Sequence, residues 1–188
     1  HVMFGHYQNE TNDLIANHKN LVQELENRGI DIQINLAAEY NFDSELLKRL
    51  DDNDILSIDT EDYKYLLFEL SYYNEPMGLD DLISKIKSKG YIPVLAHPER
   101  YPYFSENRET YTELVNKGVL FQMNINSLSG LYPGGAKITA EWLVENEMVQ
   151  FIGTDIHRID HVEFLEKAFK FQCLHDLVNT GNLMNQYL

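Results

Sequence analysis

Four short apolar runs constrain this chain more than any other feature: YLLFEL at 65–70, IPVLA at 92–96, VLFQMN at 119–124 and VQFIGT at 149–154. Each is too short for a buried helix and nearly continuous rather than alternating in polarity. Stretches with helical spacing separate them. Strands of that kind are buried on both faces, as in a parallel sheet joined by crossover helices.

The connecting segments complete the pattern. Leu14, Ile15, His18, Leu21, Val22 and Leu25 follow Thr11-Asn12-Asp13 at helical spacing, with the cap expected at those three residues and the end at Asn27-Arg28-Gly29. Further helices are expected over 44–50, 80–89, 108–117, 136–146 and 162–178, the second and third closed by Gly90 and Gly118. Two more strands are expected over 32–38 and 55–58. With 188 residues, no repeat and no linker, one α/β domain spanning 1–188 is expected. Two architectures fit, an open doubly wound sheet and a (β/α) barrel.

Chemistry-bearing residues recur where the strands stop. Glu39, Glu69, His97, Asn124 and Asp155 each stand at or just past a strand end, and His157 lies two residues beyond Asp155. In a parallel barrel the C-terminal strand ends share one face, where active sites form. Carboxylates and imidazoles together are the donor set of manganese, iron or zinc, and a bridging carboxylate can hold two ions. Glu69 sits among Leu66, Leu67, Phe68 and Leu70, where an unpaired carboxylate is costly and a cation is the natural partner. Taken singly, each of these residues has an ordinary structural explanation. The recurrence at successive strand ends is what points to a metal centre.

Charge and cysteine content narrow the function. The net charge is −15 and no basic face is visible, which argues against nucleic-acid binding. An anionic substrate therefore needs local cations at the site, a role metal ions fill. Cys173 is the single cysteine, so no internal disulfide is possible and a reducing compartment is expected. It lies in a helical pattern without a C-x5-R loop, and a packing role is expected for it. No apolar stretch is long enough for a membrane span, and HVMFGHYQNE does not read as a signal peptide, so a cytoplasmic location is expected. The chain starts at His1, and we expect it to be part of a longer protein. His18 and His175 fall within helices and read as structural. His6 and His161 are candidates to line the site, Tyr101 and Tyr103 to shape its entrance, and Asn124 and Asn126 to orient ligands from behind.

The strings VLAHPERY, FQMNINSLSG and FIGTDIH, with the strand-end glutamates of INLAAEY and LLFEL, resemble the PHP (polymerase and histidinol phosphatase) superfamily. Within it they are most similar to the bacterial capsular-polysaccharide tyrosine phosphatases. The resemblance runs from His1 to about His157. It implies a distorted (β/α)7-type barrel with a cluster of two or three divalent ions at the strand C-termini, manganese foremost and iron or zinc as alternatives. It also implies removal of phosphate from phosphotyrosine on a tyrosine autokinase of capsule or exopolysaccharide export. Carried over by motif, the metal ligands are His1, Glu39, Glu69, His97, Asp155 and His157, with Glu39 bridging. Arg100 handles phosphate, and Arg158 and His157 are further catalytic candidates. The family's opening H-x-H strand is absent from this sequence, and Arg158 stands closer to D-x-H than the family's arginine does. Competing expectations are a phosphatase of a small metabolite such as histidinol phosphate and a metal-deficient regulatory barrel. Self-association is a further possibility that the sequence leaves open.

Overall fold

The computed structural model describes residues 1–133 and 135–188. Six strands form one sheet: β1 (Glu39–Asn41), β2 (Ile58–Asp59), β3 (Lys64–Glu69), β4 (Ile92–Ala96), β5 (Leu120–Asn124) and β6 (Phe151–Gly153). The order is β1-β3-β4-β5-β6, all parallel, with β2 pairing antiparallel to β3. The helices are α1 (Thr11–Asn27), α2 (Ser44–Asp52), α3 (Leu79–Ser88), α4 (Pro102–Glu106), α5 (Glu109–Asn116), α6 (Ile125–Leu128), α7 (Ala136–Glu145), α8 (His161–Ala168) and α9 (Gln172–Asn179). The four apolar runs are all strands, as their continuity predicts.

Alternation along the strands explains the layers. Leu66, Phe68, Leu95, Phe121 and Met123 point to one face and join the main core with Leu46 and Leu50 of α2, Leu82 and Ile86 of α3, Leu114 of α5 and Leu143 of α7. Tyr65 and Val94 point to the other face, where they form a small cluster with Phe151 and with half-buried Leu67, Ile92 and Leu120. No α-helix contributes to that second cluster among the described residues; Met184, at the start of the 3₁₀ turn Asn185–Tyr187, packs against it. The helices therefore cover one face, and the inner face carries the small cluster and the residues that lead to the strand ends. No ladder joins β1 to β6 among the described residues.

Four expectations need correction. The segment 32–38 is not a strand: Ile32 is 62% exposed, and pairing begins only at Glu39, where β3 and Val2 flank the chain. An apolar stretch becomes a strand only where a ladder partner exists. The strand expected at 55–58 is reduced to Ile58–Asp59, where Lys64 and Tyr65 supply partners. The helix expected over 162–178 is two helices, with Phe171 extended between them. In a straight helix Ala168 and Leu177 would lie about half a turn apart, on opposite faces. The break lets Ala168, Leu174 and Leu177 all reach the core. The cap of α1 is also Glu10, without a side-chain hydrogen bond, rather than Thr11-Asn12-Asp13.

The Thr11 hydroxyl instead accepts from Arg49, a buried guanidinium on α2. Arg49 also donates to Glu45, Asp54 and the Asn9 carbonyl, and the Asn9 amide in turn donates to the His1 carbonyl. One side chain thus ties the N-terminal segment to α2. Arg49→Ala is expected to lower stability by about 2 kcal/mol, read as a lower urea midpoint with an unchanged m-value.

Candidate metal centre

The site is assembled at the C-terminal ends of β3, β4 and β6 and at the start of β1, where Glu39 opens the strand rather than ending one as expected, with the first residues of the chain laid beside β1. The Val2 amide donates to the Glu39 carbonyl and the Asn41 amide to the Val2 carbonyl, both at 2.9 Å. This pairing sets His1 Nε2 3.8 Å from Glu39 Oε2. His1, Glu39 and Glu69 each offer a ligand atom within 4.8 Å of the others. His97 Nε2 lies 3.0 Å from Glu39 Oε1 and 3.6 Å from Glu69 Oε2. Across the site the His1 and His157 rings are 5.3 Å apart, and His157 Nδ1 lies 3.1 Å from both the Asp155 carbonyl and Asp155 Oδ1. His1, Glu69, His97, Arg100, Asp155 and His157 line one cavity of about 480 Å³, and Glu39 adjoins them through His1, His97 and Glu69.

Two of these residues hold strained backbone. His97 has φ 36° and Asp155 φ 49°, both in the left-handed region that costs a non-glycine residue energy. In each case the chain leaves a buried strand and must turn the side chain towards the site at once. His97 keeps the ladder through its amide, which donates to the Gln122 carbonyl at 2.7 Å.

The rest of the AHPERY string now has a physical role. Tyr101 is fully buried; its hydroxyl accepts from the Leu70 amide and donates to the Ala96 carbonyl, clamping together the strand ends that carry Glu69 and His97. Glu99 is buried as well, and its Oε1 accepts from the Asn124 amide and the Ser127 hydroxyl, fastening the turn to the end of β5. The Asn124 side chain donates to Asp155 Oδ2 at 2.8 Å. Its orientation depends on Gln122, which donates to Asn124 Oδ1 at 3.0 Å. A Cβ at position 153 would stand 2.6 Å from Gln122 Nε2, so a larger residue there would have to displace the amide that orients Asn124.

The electrostatics ask for cations. Burial, then the charge of Glu39, pushes the Glu69 carboxyl up to about 7. Burial also pushes the Glu39 carboxyl up, but the hydrogen bond and charge of His97 outweigh it, and the net shift is downward. Two carboxylates share a pocket whose resident cation, Arg100, is engaged with Asp155 at 3.1 Å. Three imidazoles and three carboxylates, with no thiol, are a donor set that divalent manganese, iron or zinc fits.

The remaining candidates separate clearly. Arg100 lies over the rings of Tyr72 and Tyr132, with its Cζ 4.7 and 4.1 Å from their centroids. Arg158 borders the cavity but is 68% exposed at its side chain and pairs with Asp160 at 3.3 Å. His161 lines the cavity, with Nδ1 3.3 Å from the Asp155 carbonyl. Asn126 donates to the Thr154 carbonyl, behind the Asp155 turn. Tyr103 donates to the Ser71 carbonyl, bracing the loop that carries Tyr72. His6 is exposed and does not line the cavity. His18 and His175 bond backbone carbonyls. Burial pushes the Cys173 thiol up to about 11, and it lies apart from these residues. Sequence reasoning missed Tyr72 and Tyr132, since neither belongs to a recognisable motif.

The family described as capsular polysaccharide synthesis, CpsB/CapC, matches residues 1–168. Tyrosine-protein phosphatase YwqE of Bacillus subtilis (strain 168) is 29% identical over 188 residues, covering 96% of this chain and 73% of that protein. Tyrosine-protein phosphatase CpsB of Streptococcus agalactiae is 26% identical over 175 residues, covering 90% of this chain and 71% of its own. Among solved structures, a chain from work on YwqE of Bacillus subtilis and CpsB of Streptococcus pneumoniae, described as metal-dependent tyrosine phosphatases, superposes with a TM-score of 0.77. It is 27% identical and covers 98% of this chain and 79% of that one. The strand-end ligands, their strained turns and these likenesses converge on one assignment: the chain belongs to the CpsB/CapC family of capsular polysaccharide synthesis.

Proposed function

We propose that this protein is a metal-dependent tyrosine-protein phosphatase of capsule or exopolysaccharide synthesis, acting on a phosphotyrosine protein such as a tyrosine autokinase. The observation that carries the reading is the convergence of His1, Glu69, His97, Asp155 and His157 with Arg100 around one cavity. We read the sheet as part of a distorted (β/α)7-type barrel in one domain over 1–188, in a cytoplasmic protein that can self-associate. No described helix is long and apolar enough to cross a membrane. The cavity is open at Tyr7 and Arg158, both exposed, which suits a side chain presented by a folded protein better than a small metabolite that must be enclosed.

His1, Glu39, Glu69, His97, Asp155 and His157 are the ligands we assign to two or three divalent ions, manganese foremost. When bound, such ions supply Lewis acidity to phosphoryl oxygens and lower the pKa of water towards neutral. Arg100 anchors one N–H on Asp155 and offers its remaining donors to the equatorial phosphoryl oxygens, a geometry guanidinium suits. With Nδ1 of His157 held at Asp155, Nε2 is the ring atom left to face the site. A phenolate leaves without strong need of a proton, so no dedicated acid is required. Arg158 is placed to meet the substrate at the rim rather than the reacting phosphate.

The decisive experiment measures phosphate release from a phosphotyrosine peptide with added Mn²⁺, beside histidinol phosphate as a competitor substrate. Turnover that a chelator abolishes is expected, with the peptide preferred. Absence of turnover in the metal-loaded protein overturns the reading. Cys173→Ala is expected to leave kcat within about twofold, because a half-buried helical thiol with a raised pKa is a poor nucleophile. A large loss there, or inactivation by iodoacetamide, would instead indicate thiol chemistry.

A further inference from the structure

We propose that Tyr132 is a positioning residue for both halves of the site, its ring fixing the Arg100 guanidinium and its hydroxyl fixing the Asp155 carboxylate. The part concerning Arg100 rests on the phosphatase reading above. Tyr132 lies on the loop after α6, just past Gly130, which turns the chain at φ 80°. Pro133 follows it and restricts the Tyr132 backbone to extended conformations.

Two contacts define the role. The Tyr132 ring centroid is 4.1 Å from Arg100 Cζ and that of Tyr72 4.7 Å, so the guanidinium rests against two aromatic rings. The Tyr132 hydroxyl donates to Asp155 Oδ2 at 2.9 Å. The same oxygen accepts from Asn124 at 2.8 Å and from Arg100 at 3.1 Å. Three donors on one oxygen stop the carboxylate from rotating and leave Oδ1 as the atom presented towards His157 and a bound cation.

The residue has no competing structural duty that the packing reveals. Tyr72 and Tyr103 pack on the main core; Tyr132 is in neither hydrophobic cluster of the described residues. Its ring and its hydroxyl are both spent on the site. An arginine that must receive a phosphoryl group benefits from being immobilised beforehand, since flexibility would cost conformational entropy on each binding event.

The two contacts separate in two variants. Tyr132→Phe keeps the ring and removes the hydroxyl: Mn²⁺ affinity, measured by calorimetry on the whole chain, is expected to fall about tenfold, and the dissociation constant of inorganic phosphate, measured the same way, to stay within about twofold. Tyr132→Leu removes both: Mn²⁺ affinity should fall to the same degree, and inorganic phosphate should bind roughly fivefold more weakly. The thermal midpoint of the metal-free protein should move little in either. Unchanged Mn²⁺ affinity in Tyr132→Phe, unchanged phosphate binding in Tyr132→Leu, or a change confined to the thermal midpoint would overturn the proposal. If the leucine variant does not fold, Tyr132→Met is read the same way. Direct calorimetry of Mn²⁺ and of inorganic phosphate needs no turnover, so it judges Tyr132 even if the wild type proves inactive on phosphotyrosine, a result that would sink only the phosphatase reading.

Discussion

Arg100→Ala is expected to lower kcat on a phosphotyrosine peptide by about 10²–10³-fold, the range seen when one preorganised donor to a developing charge is removed. Metal content, measured by elemental analysis at saturating Mn²⁺, should stay near the wild-type value, since an affinity loss of the size expected for one Oδ2 donor leaves the site filled. The reason lies in the donors around Asp155. Arg100 is one of three groups on Oδ2, and Asn124 and Tyr132 remain to hold the carboxylate when it is gone. Arg100→Lys should recover little, because an ammonium neither stacks on Tyr72 and Tyr132 nor reaches Asp155 and phosphate together in a planar fork. Loss of the metals together with turnover would mean that Arg100 mainly supports Asp155, and the phosphate-binding role would have to pass to another group.

The parts of the fold legible in the sequence were those fixed by local pattern. Continuous apolar runs gave β3, β4, β5 and β6, and Gly90 and Gly118, at φ 85° and 80°, closed α3 and α5 where expected. What local pattern could not show was partnership. The segment 32–38 has the composition of a strand, but its described surroundings offer no ladder. The last helix has continuous periodicity, yet Ala168 and Leu177 can reach one core only if it breaks. Glu69, His97 and Asp155 were legible because each sits at or just past a strand end, a position the pattern itself marks, whereas Glu39 opens β1 and His1 is the first residue, so neither is marked that way. Their supports were not. Glu99 and Tyr101 stood in a conspicuous string, but their role is to join β3, β4 and β5, contacts between residues 25 to 31 apart. Tyr132 reaches Asp155 from 23 residues away, and nothing in SGLYP distinguishes it from a surface tyrosine.

Glu69→Gln is expected to make the metal-free protein more stable at pH 8 while abolishing turnover. Glu69 stands between Phe68 and Leu70 in β3 and is 6% exposed, with Glu39 as its charged neighbour. Its carboxyl is pushed from 4.5 up to about 7, so the folded state binds its proton more tightly than the unfolded chain does. The stability this protonation contributes is full below pH 4.5 and is lost as the pH rises through 7. For the metal-free wild type that loss amounts to about 2–3 kcal/mol between pH 5 and pH 8. Glutamine has no charge to bury and should show no such slope. The difference between wild type and variant, measured by guanidinium unfolding with chelator at each pH, isolates Glu69 from the other 29 acidic residues that also titrate. A difference that stays constant from pH 5 to pH 8 would count against the shift. Mn²⁺ should reverse the balance, because a cation favours the ionised carboxylate: wild-type affinity should rise with pH up to about 7 with a proton released on binding, and the variant should bind at least tenfold more weakly. A carboxylate retained at a cost to the empty fold is explained if the group it is built to hold is a cation.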